Sequence, residues 1–205
     1  VMGKVQTEIL KNVIAERYGV DVDFEEAGIV YRETLTKPVI GIGHYEPLRH
    51  YAEVHIAIEP LPAGSGIVVD TDVSEDELSL NWQRLICTHI LEREHPGVLI
   101  GASLTDARLT VIGGRAHQKH TEGGDFRQAT YRAIRQGLMQ AECRILEPYY
   151  RYFLTVPKGQ MGRVMTDIER MGGSFFLEDD KVHTRDGFSA ISGMAPVFHM
   201  SAYPS

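Results

Sequence analysis

The chain has 205 residues, of which 43% are hydrophobic and 24% are charged, enough apolar residues for at least one sizeable core. Its net charge of −7 excludes a general DNA binder, because attraction to phosphates needs accumulated Lys and Arg, so a nucleic-acid role would need a local cationic patch. With two cysteines and no apolar run approaching about 20 residues, we expect a cytoplasmic protein with no disulfide framework and no membrane partner.

The first 47 residues predict a helix, a strand and a linker. Apolar residues recur at helical spacing between residues 4 and 18, and Gly19 is a suitable helix end because glycine tolerates the left-handed conformation. A strand is predicted at about residues 29–35. Two prolines and two glycines between residues 37 and 47 indicate a linker.

The middle of the chain alternates strands and helices. Val54, Ile56 and Ile58 alternate with polar residues, which is the period of a half-buried strand. We then expect a turn-rich loop at 60–66, a short strand at 67–69, an exposed acidic segment at 70–77, a helix at 81–93, a strand at 106–112 and a polar loop at 113–124. A long helix follows at about 125–143, with Asp125 and Gln128 as its capping pair.

The remaining segment predicts an incomplete β-α-β-β unit after a break at residues 146–148. It has strands at 151–156, 175–177 and 188–192, a helix at 159–171 and a turn at 178–181. A split β-α-β fold needs a further helix and strand to complete its sheet. We therefore expect both ends of the chain to be cut through domains, and unpaired sheet edges there would allow a dimer.

Four segments in the same order resemble the elongation factor G family of translational GTPases, which includes the tetracycline-resistance ribosomal protection proteins. They are residues 3–8 with 30–34, the Pro-Leu-Pro-Ala-Gly-Ser-Gly loop at 60–66, Leu-Glu-Pro at 146–148, and residues 161–168 with Gly172-Gly173. The resemblance covers essentially the whole chain. It implies the end of a domain III, a domain IV and the start of a domain V.

The resemblance implies an α+β fold with a central domain like domain 2 of ribosomal protein S5, flanked by partial ferredoxin-like domains. The implied boundaries are residues 1–40, 44–147 and 148–205. It also implies a ribosome-binding fragment with no catalytic site of its own. GTP and Mg²⁺ would belong to a GTPase domain outside this chain, since no Gly-x-x-x-x-Gly-Lys-Ser/Thr sequence is present.

Two branches of the family remain open for this chain. The loop at 60–66 and the Asp125-Phe126-Arg127 start of the long helix look more like the protection proteins. Those proteins carry a Pro-Val pair at the far tip, where this chain has Lys119-His120, and His117 falls where elongation factor G has its tip histidine. The alternatives are therefore a ribosomal protection protein, a translocase, or an uncharacterised paralogue of either.

The candidate site is a pair of loops expected to form one tip that reaches 16S rRNA in the decoding region. Between residues 106 and 120 there are three Lys or Arg and two His against one acid, Asp106, ahead of a helix N-terminus that favours phosphate. Lysine and arginine can track RNA phosphates, and histidine rings can stack on bases. The expected contacts are Pro62, Gly64, Ser65, Arg115, His117, Gln118, Lys119 and His120. No metal is expected, because nothing nearby completes four ligands around His117 and His120.

Overall fold

The computed structural model describes residues 4–24, 28–178 and 186–200. The helices are α1 (Lys4–Tyr18), α2 (Leu80–Leu91), α3 (Gly123–Gln140), α4 (Met161–Arg170) and the short α5 (Val197–Met200). The strands are β1 (Arg32–Leu35), β2 (Val39–Tyr45), β3 (Ala52–Pro60), β4 (Ile67–Thr71), β5 (Ala107–Ala116), β6 (Cys143–Leu146), β7 (Tyr149–Pro157), β8 (Ser174–Glu178) and β9 (Phe188–Pro196). Within the described ranges they form sheets of order β1-β6, β2-β3-β5-β4 and β7-β9-β8, which confirms the α+β prediction.

The central four-stranded sheet carries the main core. β3 lies antiparallel to both β2 and β5, and β4 lies parallel to β5. The predicted alternation of β3 is confirmed, because Val54, Ile56 and Ile58 are fully buried. Helices α2 and α3 cover this face, and the rings of Trp82 and Phe126 join them with centroids 5.0 Å apart. Burial of each of the aliphatic side chains of β3 stabilises the fold by roughly 1.5–3 kcal/mol.

Helix α3 lies directly against the backbone of β2. A Cβ atom on Gly41 would stand 2.0 Å from the carbonyl oxygen of Ala133, and one on Gly43 would stand 1.8 Å from that of Ala129. On the helix side, a Cβ on Gly137 would lie 3.0 Å from the Cα of Gly41. Glycines are needed at these positions because no side chain fits between the two backbones.

Strand β2 occupies the segment that was predicted to be a linker, so that prediction is wrong. The positions of β2 that face α3 are Gly41 and Gly43, and both are buried. A strand whose buried positions are glycines lacks the apolar alternation that identifies strands in a sequence. The two glycines therefore indicate close packing of backbone, where the sequence suggested flexibility.

Other predicted boundaries also differ from the structure, and two of them bear on the central sheet. Strand β5 continues to Ala116 through Gly113 and Gly114, which were assigned to a loop. Both glycines are buried, and a Cβ on Gly114 would stand 3.0 Å from the side chain of Leu78. Helix α3 ends at Gln140, and the next residues form β6, which pairs antiparallel with β1.

The β1–β6 pair is fixed to the central fold by the carboxylate of Glu33, which is 1% exposed. Its Oε2 accepts hydrogen bonds from the N–H groups of Val98 and Leu99 at 2.8 and 2.9 Å. Its Oε1 accepts from Ile100 and Ala102 at 3.0 and 3.1 Å. One side chain thus orders the loop between α2 and β5.

The buried Glu33 carboxylate is stabilised as an anion by these donors. Burial by itself would raise the pKa of Glu33, but the four N–H groups outweigh it and hold the pKa below its ordinary value. The carboxylate also fills the space beside Gly97, where a Cβ would come within 2.2 Å of it. The loop therefore closes around the charge.

The last sheet confirms the predicted β-α-β-β order, with β9 between β7 and β8. Helix α4 packs on one face, where Ile168, Ile191 and Ala195 form a small core with Tyr152. The predicted turn at 178–181 lies largely outside the described residues. The domain boundaries at residues 40, 44 and 147 stay predictions.

The N-terminal helix confirms its predicted bounds. Gly19 has a φ of 63°, and its N–H donates to the carbonyl of Ala15 at 2.9 Å, which ends α1. The side chains of Ile9 and Val13 on its apolar stripe are exposed in this chain. Within the described ranges, no helix combines the length and apolar character needed to cross a bilayer.

Substitution of Gly43 by Ala should destabilise the central sheet by about 3 kcal/mol, because the new methyl group would overlap the carbonyl of Ala129. Urea unfolding followed by the fluorescence of Trp82, the only tryptophan, measures this. Gly124→Ala in the first turn of α3 is the matched control, since no heavy atom lies within 4 Å of its Cβ position. That control should be neutral or stabilising by up to about 1 kcal/mol. Equal stability of the two variants would contradict the close packing.

Substitution of Glu33 by Gln should cost about 2 kcal/mol at pH 7, because the amide offers one acceptor oxygen to four N–H donors. A carboxyl with a lowered pKa stabilises the fold above its ordinary pKa, and that contribution is lost as the pH falls through the lowered value. The difference between wild type and variant should therefore shrink below about pH 5.

The control for Glu33 is Glu94→Gln, which removes an exposed carboxylate paired with Arg32 and should change stability little. Urea unfolding at several pH values measures both variants. A stability difference for Glu33→Gln that stays constant from pH 7 to pH 3 would contradict the anionic role of Glu33.

Candidate functional site

The two loops predicted to form one tip lie at opposite ends of the central sheet, so that part of the prediction is wrong. In the β3–β5 pair, Ala52 is opposite Ala116 and Pro60 is opposite Ala107. Because the strands are antiparallel, the loop after β3 and the loop after β5 leave the sheet at opposite ends of the strands. Eight residue steps along β3 separate them by about 27 Å.

The loop at residues 60–66 lies at the end of the sheet that carries β1. Asp106 holds it: its Oδ1 accepts from the N–H of Gly66 at 3.0 Å, and its carbonyl oxygen accepts from the N–H of Leu61 at 2.8 Å. The hydroxyl of Thr34 in β1 donates to the same carbonyl at 3.3 Å. Pro62, Gly64 and Ser65 are exposed on this loop, away from the other predicted contacts. Their role as ribosome contacts stays a prediction.

At the other end, residues 46–51 and 117–122 form a compact surface that we call the tip. The N–H of Tyr51 donates to the carbonyl of His120 at 3.0 Å, and the hydroxyl of Thr121 donates to the carbonyl of Tyr51 at 2.6 Å. The same hydroxyl oxygen accepts from the N–H of His117 at 2.6 Å. Thr121 therefore closes its own loop and joins it to the neighbouring one.

Helix α3 begins at the tip, and Asp125 ties the two together. Asp125 was predicted to cap the helix with Gln128, but it is the third helical residue, and its carboxylate accepts from the N–H of Glu122 at 2.8 Å. Its carboxylate also lies 3.1 Å from Nδ1 of His50. Because Asp125 is buried, this contact fixes the 46–51 loop to the helix.

The cationic side chains of the 108–120 segment differ in whether an acidic side chain lies beside them. Arg115 lies beside Glu53, whose carboxylate also accepts from the hydroxyl of Tyr51 at 2.9 Å. The Tyr51 hydroxyl is the main cause that lowers the pKa of Glu53; burial opposes it, and the nearby His55 and Arg115 add to the lowering. Arg108, counted in the cationic segment, is opposite Glu59 near the far end of β5.

Two cations at the tip, Lys119 and Arg49, have no acidic partner among the described residues. No carboxylate oxygen in the described ranges lies within 4.0 Å of a side-chain nitrogen of either residue. Both residues are exposed. An exposed cation with no internal partner keeps its charge available for a ligand, and phosphate is the group that such pairs of cations commonly bind.

The histidines of the second loop form a stacked pair. The rings of His117 and His120 have centroids 4.5 Å apart and an angle of 24° between planes. Both residues are exposed, as is Gln118 between them, so one ring face and several polar atoms point to solvent. Five predicted contacts, from Arg115 to His120, thus occur together, while the three from the 60–66 loop do not.

Sequence reasoning missed the 46–51 loop because its first residues were assigned to a linker. The loop contributes Leu48, which is fully exposed, together with Arg49 and His50. A signal was available: β3 begins at Ala52, and an antiparallel partner as long as β5 must end beside the start of β3. That pairing would have brought the 117–122 loop next to 46–51.

The histidines of the tip are not part of a larger cluster of metal-ligating side chains among the described residues. In the parts of the chain that the structure describes, no group of three or more His, Cys, Asp or Glu side chains is arranged to hold a metal ion. The histidine pair by itself supplies two ligands, fewer than a stable zinc site needs. Among the described residues, the tip presents two cations, imidazole rings and one exposed leucine, together with the exposed acids Glu46 and Glu122.

Comparison with known proteins gives both curated relatives and a structural neighbour. The chain is 29% identical over 205 residues to the tetracycline resistance protein TetP of Clostridium perfringens, covering 99% of this chain and 31% of that protein. It is 28% identical over 171 residues to TetO of Campylobacter jejuni, covering 82% of this chain and 27% of that protein. The chain thus spans about a third or less of the length of these relatives.

The structural neighbour is a crystal structure of a Thermus thermophilus protein. It superposes with a TM-score of 0.81 and 24% identity, covering 98% of this chain and 30% of that chain. This likeness supports the fold. The family model described as elongation factor G, domain IV, matches residues 27–142, which are more than half of the chain. The chain therefore belongs to the elongation factor G domain IV family.

Proposed function

We propose that this chain is the ribosome-binding part of a translation-factor GTPase and that its tip contacts 16S rRNA in the decoding region. The observation that carries the proposal is the pair of cations, Lys119 and Arg49, which have no acidic partner in the described part of the chain and lie beside exposed histidine rings. Membership of the elongation factor G domain IV family supports it. As a ribosome ligand the protein would act in the cytoplasm.

The combination of exposed cations with exposed imidazole rings supports RNA binding by the tip. The net charge of −7 opposes contact between the body of the protein and RNA phosphates. Lys119 and Arg49 can each neutralise a phosphate, and the ring of His117 or His120 can stack on an unpaired base. The protein would therefore approach RNA with this end first.

We further propose the ribosomal protection type as the branch, since TetP and TetO both carry tetracycline resistance in their names. A translocase of the elongation factor G type is the second candidate, which His117 favours because it falls where the translocase has its tip histidine. In either case GTP and Mg²⁺ would be bound by a domain outside these 205 residues.

We also propose a revised division of the chain, in which the central domain begins near residue 27 and not at 44. The pairing of β1 with β6 and the hydrogen bonds of Glu33 to the 98–102 loop support this start. The three-stranded sheet from β7 onwards would be the beginning of the next domain, as the resemblance implies. Its outer strands would be edges available to further chain or to a second copy.

The double substitution His117→Ala plus Lys119→Ala should weaken binding of the chain to ribosomes by about tenfold or more at low salt. It should also reduce the slope of log affinity against log salt concentration, because one phosphate contact is lost. Filter binding or sedimentation with purified ribosomes at several salt concentrations measures both effects.

Two control substitutions make this measurement specific. Lys37→Ala removes a cation whose partner is Glu142, and it should leave affinity and salt slope unchanged. Arg144→Ala removes an exposed cation of β6, which pairs with β1 away from the tip, and it should also be silent. Unchanged binding in the double variant, or equal losses in the two controls, would reject the tip as the ribosome contact.

The branch is tested by release of bound tetracycline from ribosomes when the chain is added at saturating concentration. A protection protein should compete with the drug, so labelled tetracycline should dissociate in proportion to the chain bound, and drug-loaded ribosomes should bind the chain more weakly. Simultaneous binding of chain and drug without mutual effect would favour the translocase alternative.

A further inference from the structure

Leu48 lies in an environment that is unfavourable for leucine in two independent ways. Its φ is 52°, in the left-handed region that glycine and asparagine enter readily and that costs leucine roughly 1–2 kcal/mol. Its side chain is also fully exposed, at 103% of the reference area, so it contributes nothing to the core. Neither backbone conformation nor packing explains the residue, and such conflicts are concentrated at functional sites.

The turn that carries Leu48 is held firmly at both sides. The N–H of His50 donates to the carbonyl of Pro47 at 3.0 Å, which closes the turn. On the side of the helix, Nδ1 of His50 lies 3.1 Å from the buried carboxylate of Asp125. The N–H of Tyr51 donates to the carbonyl of His120 in the 117–122 loop. The apolar side chain therefore projects from a fixed base.

Leu48, Arg49 and His50 line a shallow, open patch of surface at this turn. A flat apolar ligand can contact the leucine there while the guanidinium of Arg49 remains beside it. Arg49 has no acidic partner among the described residues, and Lys119 at the same tip has none either. Glu46, the acid of the same loop, lies 3.2 Å from the ring of His44. Arg49 is thus the charge next to Leu48, and an apolar face beside a cation suits a nucleotide of an RNA chain.

We propose that Leu48 is a wedge that packs against an unstacked RNA base, with Arg49 on a neighbouring phosphate. Apolar side chains such as leucine are used in this way to separate stacked bases in nucleic acids, and unpaired bases in RNA are accessible to such contacts. The proposal rests on the proposed function, since it names the group that the tip recognises.

The decisive variants are Leu48→Gly and Leu48→Ala in the whole chain. Glycine adopts the left-handed conformation freely, so Leu48→Gly should keep or raise the melting temperature while it removes the wedge. Binding to purified small ribosomal subunits should weaken about tenfold in both variants, since a buried leucine contact is lost. The salt slope should stay at the wild-type value, because no phosphate contact changes.

A second readout reports the base itself. A hairpin RNA with the decoding-region sequence, carrying 2-aminopurine at an unpaired position, should change in fluorescence when the wild-type chain binds, because unstacking alters emission. Leu48→Gly should bind without that change. Leu99→Ala is the matched control, since Leu99 is an exposed leucine in the loop around Glu33 at the opposite end, and it should behave as wild type.

The outcomes separate the two proposals. If the wild-type chain binds neither the small ribosomal subunits nor the hairpin RNA, both the proposed function and the wedge are rejected. If wild type binds and Leu48→Gly binds equally well with the full fluorescence change, only the wedge is rejected. A clear drop in melting temperature for Leu48→Gly would show a structural role and also reject the wedge. The wedge is likewise rejected if Leu48→Gly only disrupts self-association in analytical ultracentrifugation.

Discussion

The close approach of α3 to β2 is the constraint on which the central fold depends. Because Gly41 and Gly43 present no side chain, the helix lies on the strand backbone and reaches the end of the sheet in a fixed direction. Its first turn then brings Asp125 to the tip, where the carboxylate meets His50 and the N–H of Glu122. The position of the candidate site thus follows from two glycines at some distance from it.

The same glycines explain how far the sequence could predict the structure. Apolar periodicity identified β3, α2 and α3, because their buried positions carry side chains that leave a pattern. It failed at β2 and at the end of β5, where buried positions are glycines and the packing partner is backbone or a leucine from elsewhere. The capping residue of α3 was also misjudged, since the first two helical residues are glycines that periodicity does not register.

The candidate site was only half predictable for a related reason. The composition of the 115–120 segment indicated a cationic surface, and the structure brings those residues together. Which second loop lies beside it depends on antiparallel pairing, and local composition carries no information about that. The proline- and glycine-rich loop at 60–66 attracted attention for its turn chemistry, while the loop at 46–51 was overlooked because its first residues were assigned to a linker.

The separation of the two loops gives the central domain the properties of a lever. One end holds the 60–66 loop, β1 and the carboxylate of Glu33, and the other holds the tip, with continuous strands between them. The strands between the two ends are continuously hydrogen bonded, so a rotation of this sheet about its Glu33 end would displace the tip. Over a length of about 27 Å, a rotation of about 10° displaces the tip by about 5 Å, close to the rise of one helical turn. A small rotation at the Glu33 end would thus move the tip by about the distance between two residues in contact.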